Sequence, residues 1–226
     1  MKKLLFGIFA HPDDEAFGPG GALIKAVHDG MELHLITLTL GQNGMNPDNA
    51  PDLGAVRHEE WLKSGQMMGA ASQHELGYTD GRLCNIEMLE IADKIQHIVR
   101  ETVADRDVEV EFIGFDLNGL TGHIDHIVAS RALCLAFYRL KQNDSRFTHI
   151  RLFCLPKEQN PTVNTDWIYM DSGRTLEEIG EIIDAREYHD QIIEVMRTHY
   201  SQRSDAEAQI STLGSDIGLN HFMILS

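Results

Sequence analysis

The residues best suited to chemistry in this 226-residue chain stand in two short runs, His11-Pro12-Asp13-Asp14-Glu15 and Gly122-His123-Ile124-Asp125-His126. The first sets an imidazole and three carboxylates directly after the apolar Ile8-Phe9-Ala10, and the second packs two imidazoles and a carboxylate at a segment boundary. So much acid beside imidazole asks for a divalent cation. In hydrolases three nitrogen or oxygen side chains hold such an ion and leave one position for water, whose pKa falls to about 7. The pattern predicts a metal-dependent hydrolase, with the remaining carboxylates and imidazoles as acids and bases.

Each run also has a plainer reading. His11 and Asp14 are three apart on a loop stiffened by Pro12, so both can turn toward one ion. Asp13, Asp14 and Glu15 could instead favour the positive end of a following helix, which leaves His11 unexplained. His123 and His126 are i, i+3 neighbours at a helix start and can face one cleft. Alone, they would pass for surface histidines of a first turn, with Asp125 stabilised by the helix dipole. Two such clusters, both after predicted strands, favour a shared site. His28, His34, His58, His74, His97, His149, His189 and His221 show no ligand-like spacing and read as helix-surface or strand residues.

The elements that must position these groups follow from apolar patterning. Leu4 to Phe9 is a nearly continuous apolar run, as in a strand buried on both faces of a parallel sheet. Further strands are predicted over Leu33 to Leu40, His74 to Tyr78, Val108 to Phe115, Ile150 to Leu155 and Trp167 to Met170. Helices are predicted over Ala22 to Val27, Gly54 to Ala71, Ile86 to Val103, Ile124 to Leu140 and Leu176 to about Ile210. The alternation implies an α/β, Rossmann-like fold: a mostly parallel sheet flanked by helices on both faces. Ligands of such sheets sit outside the carboxyl ends of the strands, where both histidine clusters fall. No linker or repeat divides the chain, which reads as one domain over 1–226.

Apolar residues at 42% and charged residues at 24% are the proportions of a globular protein, not of a disordered chain. A formal net charge of −16 argues against nucleic acid or an anionic membrane as partner and for a small-molecule substrate. Cys84, Cys134 and Cys154 lack CxxC spacing and read as reduced core residues. The N-terminal apolar run meets His11-Pro12-Asp13 where a signal peptide would carry small residues, and no stretch nears the roughly 20 apolar residues of a membrane helix. The expected location is the cytoplasm. The oligomeric state, a homo-oligomer included, is left open.

The two runs resemble the signature motifs of the LmbE-like, or PIG-L, family of zinc-dependent N-deacetylases. Leu38-Thr39-Leu40-Gly41-Gln42-Asn43-Gly44, Arg57 with Glu60, Tyr78-Thr79-Asp80-Gly81-Arg82-Leu83 and His199-Tyr200-Ser201-Gln202 look like further family blocks in the same order. The resemblance implies zinc held by His11, Asp14 and His126, with Fe²⁺ or another divalent ion also accepted by such ligands. It implies Asp13 as general base, and protonated His123 as the group that stabilises charge on the attacked carbonyl. The leaving amine would take its proton from Asp13 or His123. Asp125 would orient an imidazole, and Arg57 and Asp80 would lie against substrate. The substrate so implied is an N-acetylglucosamine-type sugar or glycoconjugate that loses its acetyl group. Thr121 stands where some sugar deacetylases of the family carry tyrosine, and Ile124 where proline is frequent.

Alternatives remain at individual residues. Arg57 and Glu60 have the spacing of a helical salt bridge, and Asp80-Gly81 is a common turn dipeptide. His199 and Gln202 either close over the cleft or face solvent. Gln42 to Leu53 and Pro156 to Asp171 are the expected specificity walls. Two other functions compete: a non-catalytic metal-binding module, and a nucleotide-binding protein using Gly18-Pro19-Gly20-Gly21. Against the second, Leu23 takes the place of the third glycine, and three carboxylates stand where a pyrophosphate needs positive potential.

Overall fold

The first strand, β1 (Lys2–Phe9), sends Leu4, Phe6 and Ile8 into one apolar cluster and Leu5 and Phe9 into another. This is how a run without polar alternation becomes a strand covered on both faces. The computed structural model describes residues 1–159 and 172–226. The other strands are β2 (Glu32–Thr39), β3 (Ser72–Tyr78), β4 (Val108–Phe115), β5 (Phe147–Cys154), β6 (Glu181–Asp184) and β7 (Leu219–Leu225). They form one sheet of order β3-β2-β1-β4-β5-β7-β6, in which β7 runs antiparallel to both β5 and β6 and the other pairs are parallel.

On one face lie α4 (Met88–Val103) and α6 (Ile124–Lys141), whose Ile91, Ile95, Val99, Leu133 and Phe137 pack on Phe6 and Phe112. On the other lie α2 (Gly20–His28), α3 (Leu53–Met68) and α7 (His189–Thr198), which contribute Leu23, Trp61 and Met196. The Phe112 ring meets those of Phe6, Phe137 and Phe147 at 5.7, 5.3 and 6.2 Å. Each buried side chain of this size contributes about 1.5–3 kcal/mol. The predicted α/β architecture is the one observed.

The site follows from the topology. From β1 the chain builds β2 and β3 to one side, and β4 and β5 form on the other, so the strand order reverses between β1 and β4. The loops leaving those two carboxyl ends diverge and open a crevice. Both histidine runs lie on them: one leads into α1 (Asp14–Phe17), the other follows α5 (Gly119–Gly122) and enters α6.

Three expectations change. β6 falls inside the stretch from Leu176 to Ile210 predicted as helix, which instead holds β6, α7 and most of α8 (Arg203–Leu213). β7 was not predicted, because Asn220 and His221 interrupt its apolar run. Both are buried there, and the Asn220 Oδ1 accepts the Ala22 N–H at 2.8 Å. Cys84 is exposed, whereas Cys154 is buried. The strand predicted at Trp167 to Met170 lies outside the described residues, as do residues 160–171 of the expected second specificity wall. Among the described residues no helix is long and apolar enough to cross a membrane.

The contact to Asn220 also bears on the nucleotide-binding reading. It occupies an N–H in the first turn of α2, and a Cβ on Gly21 would stand 2.8 Å from the Gly218 Cα. The helix start that a pyrophosphate would need is covered by the chain entering β7.

Candidate active site

The loop after β1 is shaped by its carboxylates. Asp14 Oδ2 accepts the backbone N–H groups of Ala10 and His11 at 3.1 and 2.9 Å, which folds the chain back on itself. Asp13 takes a left-handed backbone with φ of 98°, a conformation that costs a non-glycine residue about 1–3 kcal/mol and marks a functional constraint. The pair thus diverges. Asp14 lies on the histidines, while Asp13 Oδ2 meets the Arg57 Nη2 at 2.9 Å.

The second loop is held from within. His123 is the N-cap of α6, its Nδ1 accepting the Asp125 N–H at 3.2 Å. That bond leaves Nδ1 without a proton and places the neutral ring's proton on Nε2. Asp125 is buried; its two oxygens accept the N–H groups of Gly81 and Leu83 at 2.7 and 3.1 Å, and Oδ2 stands 3.3 Å from His11 Nε2. His126 Nδ1 lies 3.1 Å from the Gly119 carbonyl, which can only accept, so its Nε2 keeps a lone pair.

The three predicted ligands converge. His11 Nδ1 lies 3.1 Å from His126 Nε2 and 3.6 Å from Asp14 Oδ2, and His126 Nε2 lies 3.2 Å from Asp14 Oδ1. Ligand atoms at 2.0–2.1 Å around a tetrahedral ion stand about 3.3 Å apart, so these separations match the edges of such a polyhedron. His11 Nε2 faces Asp80 Oδ1 at 3.1 Å and Asp125 Oδ2 at 3.3 Å, and therefore carries the ring proton. Its Nδ1 lone pair then points at that of His126 and at a carboxylate, an arrangement that only positive charge between them relieves. The donor set fits a divalent cation. A ring atom of His123 also comes within 4.8 Å of ligand atoms on His11 and His126.

The electrostatics carry the same signature. Burial alone would lower His11, but Asp125, Asp14 and Asp80 outweigh it and hold the imidazole well above its ordinary pKa. Burial alone would raise Asp14, yet His126 and His11 hold it well below the usual carboxylate range. Asp13 responds differently: burial pushes it up to about 6, with Arg57 opposing. His123 is held below its ordinary value by burial and then by His126 and His11.

The substrate-facing expectations fare less evenly. Arg57 is buried and does not pair with Glu60. Its Nη2 bonds Asp13 and the Pro12 carbonyl, and its Nη1 donates to the Gly41 carbonyl at 2.9 Å. Gly41 has φ of 62°, and a Cβ there would stand 2.2 Å from that guanidinium, so glycine is required. Asp80 sits on His11 and accepts the Asn43 N–H at 2.9 Å. It is a partner of an imidazole, and the Asp-Gly turn forms as well, with the Arg82 N–H donating to the Thr79 carbonyl at 3.2 Å and Gly81 at φ of 73°.

Ser64 carried no signal of its own, and Glu15, Glu60, His199 and Gln202, though they stand in the runs named above, have partners that spacing did not give. Glu15 is fully buried, Ser64 donates to it at 2.7 Å, and His199 Nε2 lies 2.8 Å from the same oxygen. His199 is thus neither solvent-facing nor part of the cleft wall. Glu60 takes the N–H and hydroxyl of Ser201 at 2.8 and 2.7 Å, and Gln202 donates to the Met45 carbonyl at 2.9 Å.

The family model described as PIG-L: GlcNAc-PI de-N-acetylase matches residues 6–137, a span that holds both histidine runs. A Bacillus cereus protein named "Probable N-acetyl-alpha-D-glucosaminyl L-malate deacetylase 2" is 26% identical over 207 residues, covering 89% of this chain and 84% of its own length. Among solved structures, the N,N'-diacetylchitobiose deacetylase of Pyrococcus horikoshii is similar with a TM-score of 0.65 at 19% identity, covering 99% of this chain and 83% of that one. GalB, the 4-carboxy-2-hydroxymuconate hydratase of Pseudomonas putida KT2440, is similar with a TM-score of 0.67 at 14% identity, covering 100% and 97%. A deacetylase and a hydratase thus share this fold, so the reaction must be argued from the site.

Proposed function

This chain belongs to the PIG-L: GlcNAc-PI de-N-acetylase family, and on that footing we propose that it is a metal-dependent N-deacetylase acting on an N-acetylglucosamine-type sugar or glycoconjugate. The observation that carries this reading is the convergence of His11 Nδ1, His126 Nε2 and Asp14 beside a carboxylate, Asp13, that is turned away from them onto Arg57. His11, Asp14 and His126 would hold the cation, which we assign as zinc. When bound, it supplies a Lewis acid for the amide carbonyl and lowers the pKa of water to about 7.

The remaining groups divide the proton work. Asp13, pushed up to about 6, is a base matched to neutral pH and takes a proton from the attacking water. The water oxygen bonds to the acetyl carbon, the C–N bond breaks, and acetate leaves. The amine nitrogen takes back the proton held by Asp13. His123, held below its ordinary value, acts as a neutral Nε2–H donor to the carbonyl oxygen as it gains charge. This differs from the imidazolium expected by resemblance. Asp80 and Asp125 fix the His11 tautomer through Nε2.

Released amine and acetate, followed over a panel of N-acetylated sugars with metal stripped and restored, test the proposal directly. Turnover that depends on added metal is expected for at least one N-acetylglucosamine conjugate. Metal-independent turnover, or none across the panel, would count against it.

Arg57 gives a pH-dependent prediction. A carboxylate that loses an adjacent cation binds its proton more tightly, and Asp13 works only when ionised. Arg57→Met should therefore move the acid limb of kcat/KM to higher pH, by about one to three units. An unmoved limb would separate Arg57 from the base.

A further inference from the structure

The roles above make no use of the fully buried Glu15 carboxylate. Its Oε2 accepts the backbone N–H of Asp13 at 3.0 Å. Its Oε1 takes the Ser64 hydroxyl at 2.7 Å and the His199 Nε2–H at 2.8 Å. Ser64 and His199 are also 0% exposed. A hydrogen-bonded line therefore runs from the C-terminal third of the chain to the backbone of the base, across 184 residues of sequence between Glu15 and His199.

We propose that His199 is a positioning residue for the reaction: by fixing Glu15 it holds the Asp13 backbone in its left-handed conformation, and so sets the angle at which the Asp13 carboxylate meets the attacking water. The inference rests on Asp13 being the base. Three observations support it. A non-glycine residue stays at φ of 98° only where its surroundings hold it, and Glu15 is the partner of its N–H. A buried carboxylate beside Asp13 and Asp14 needs donors to fix its direction, and those on Oε1 are Ser64 and His199.

The third observation separates positioning from attachment. The turn carrying His199 is already fastened to α3 and to the loop after β2 by Ser201 on Glu60 and Gln202 on the Met45 carbonyl. Attachment alone does not need a histidine. An apolar side chain would fill the site at lower desolvation cost than a buried imidazole whose Nδ1 has no hydrogen-bond partner among the described residues.

The test compares metal-loaded His199→Leu and His199→Gln, because the glutamine amide presents an N–H near the place of Nε2. For His199→Leu, kcat on an N-acetylglucosamine substrate should fall at least tenfold, with KM within twofold and the metal content unchanged. His199→Gln should recover most of the loss. The Asp13 amide should exchange its hydrogen faster in the leucine variant, a readout independent of turnover. Should His199→Leu not fold, Glu15→Gln is expected to show the same fall in kcat at unchanged KM. Wild-type kcat in a folded, metal-loaded leucine variant, equal losses in the leucine and glutamine variants, or unchanged exchange at Asp13 would each overturn the proposal. If the unmodified protein turns over no acetylated sugar, the deacetylase reading fails, and the exchange measurement still judges the link from His199 to Asp13.

Discussion

Asp13→Asn is expected to lower kcat by about 10²–10⁴ while leaving metal uptake unchanged, the range a general base contributes. The substitution keeps volume and keeps an oxygen for the Arg57 guanidinium, which bonds Asp13 Oδ2 at 2.9 Å. It removes the capacity to accept a proton, together with the negative charge that faces Arg57. The backbone that Glu15 holds through the Asp13 N–H is untouched, as are His11, Asp14 and His126. Metal analysis alongside steady-state kinetics separates two functions that a bare metal site leaves open. A non-catalytic metal-binding module would show the same metal content in both proteins and no turnover in either. A deacetylase shows turnover that collapses in the variant alone. Undiminished kcat in a metal-loaded Asp13→Asn protein would remove Asp13 from the proton transfer.

The contrast between Asp13 and Asp14 explains why adjacent residues of one type can do different work. Asp14 faces two imidazoles that hold it ionised; Asp13 is half-buried against one guanidinium and is pushed up to about 6. Environments that push neighbouring carboxylates apart assign one to bind and the other to exchange protons. The left-handed backbone of Asp13 points the pair in different directions.

How much of this was legible in the chain depended on how local each cause was. That His11 and Asp14 could share an ion, and that the second run could face the same cleft, was legible because such spacing is a short-range pattern and apolar runs mark the strands before them; the choice of His126 as the third ligand came from the family resemblance. The parallel core was legible from local pattern too: Leu4 to Phe9 has no polar position to spoil burial on either face. β7 was hidden because Asn220 and His221 interrupt its apolar run, and the N–H of Ala22, distant in sequence, explains a buried asparagine there. Arg57 and Glu60 have ideal spacing for each other, yet each is drawn off by a tertiary partner, Asp13 in one case and Ser201 in the other. The contact of Asp80 with His11 was not legible, because which carboxylates cover His11 Nε2 is settled by packing. Helix spacing sees four residues ahead; these contacts span tens to hundreds.

Removing the metal should abolish turnover and destabilise the fold. An ion present at 100 times its Kd stabilises by about 2.7 kcal/mol. At about 2–4 °C per kcal/mol for a chain of this size, chelation should lower Tm by about 5–10 °C. Loss of a residue behind the ligands should be milder than loss of a ligand. Asp125→Asn, which weakens the hold on His11 Nε2 and keeps an acceptor oxygen for only one of the Gly81 and Leu83 amides, is expected to reduce metal affinity about 10–100-fold. The pH dependence has a definite sign. Without metal, burial of His11 is outweighed by Asp125, Asp14 and Asp80, so the imidazole keeps a proton well above its ordinary pKa. The ion needs the Nδ1 lone pair and must displace that proton. Affinity should therefore fall as pH drops below the metal-free His11 pKa, about tenfold per pH unit for one proton. Calorimetry in two buffers of different ionisation enthalpy reads the released proton directly. Metal binding that frees no proton and keeps one affinity across this range would mean that His11 Nδ1 is not a ligand.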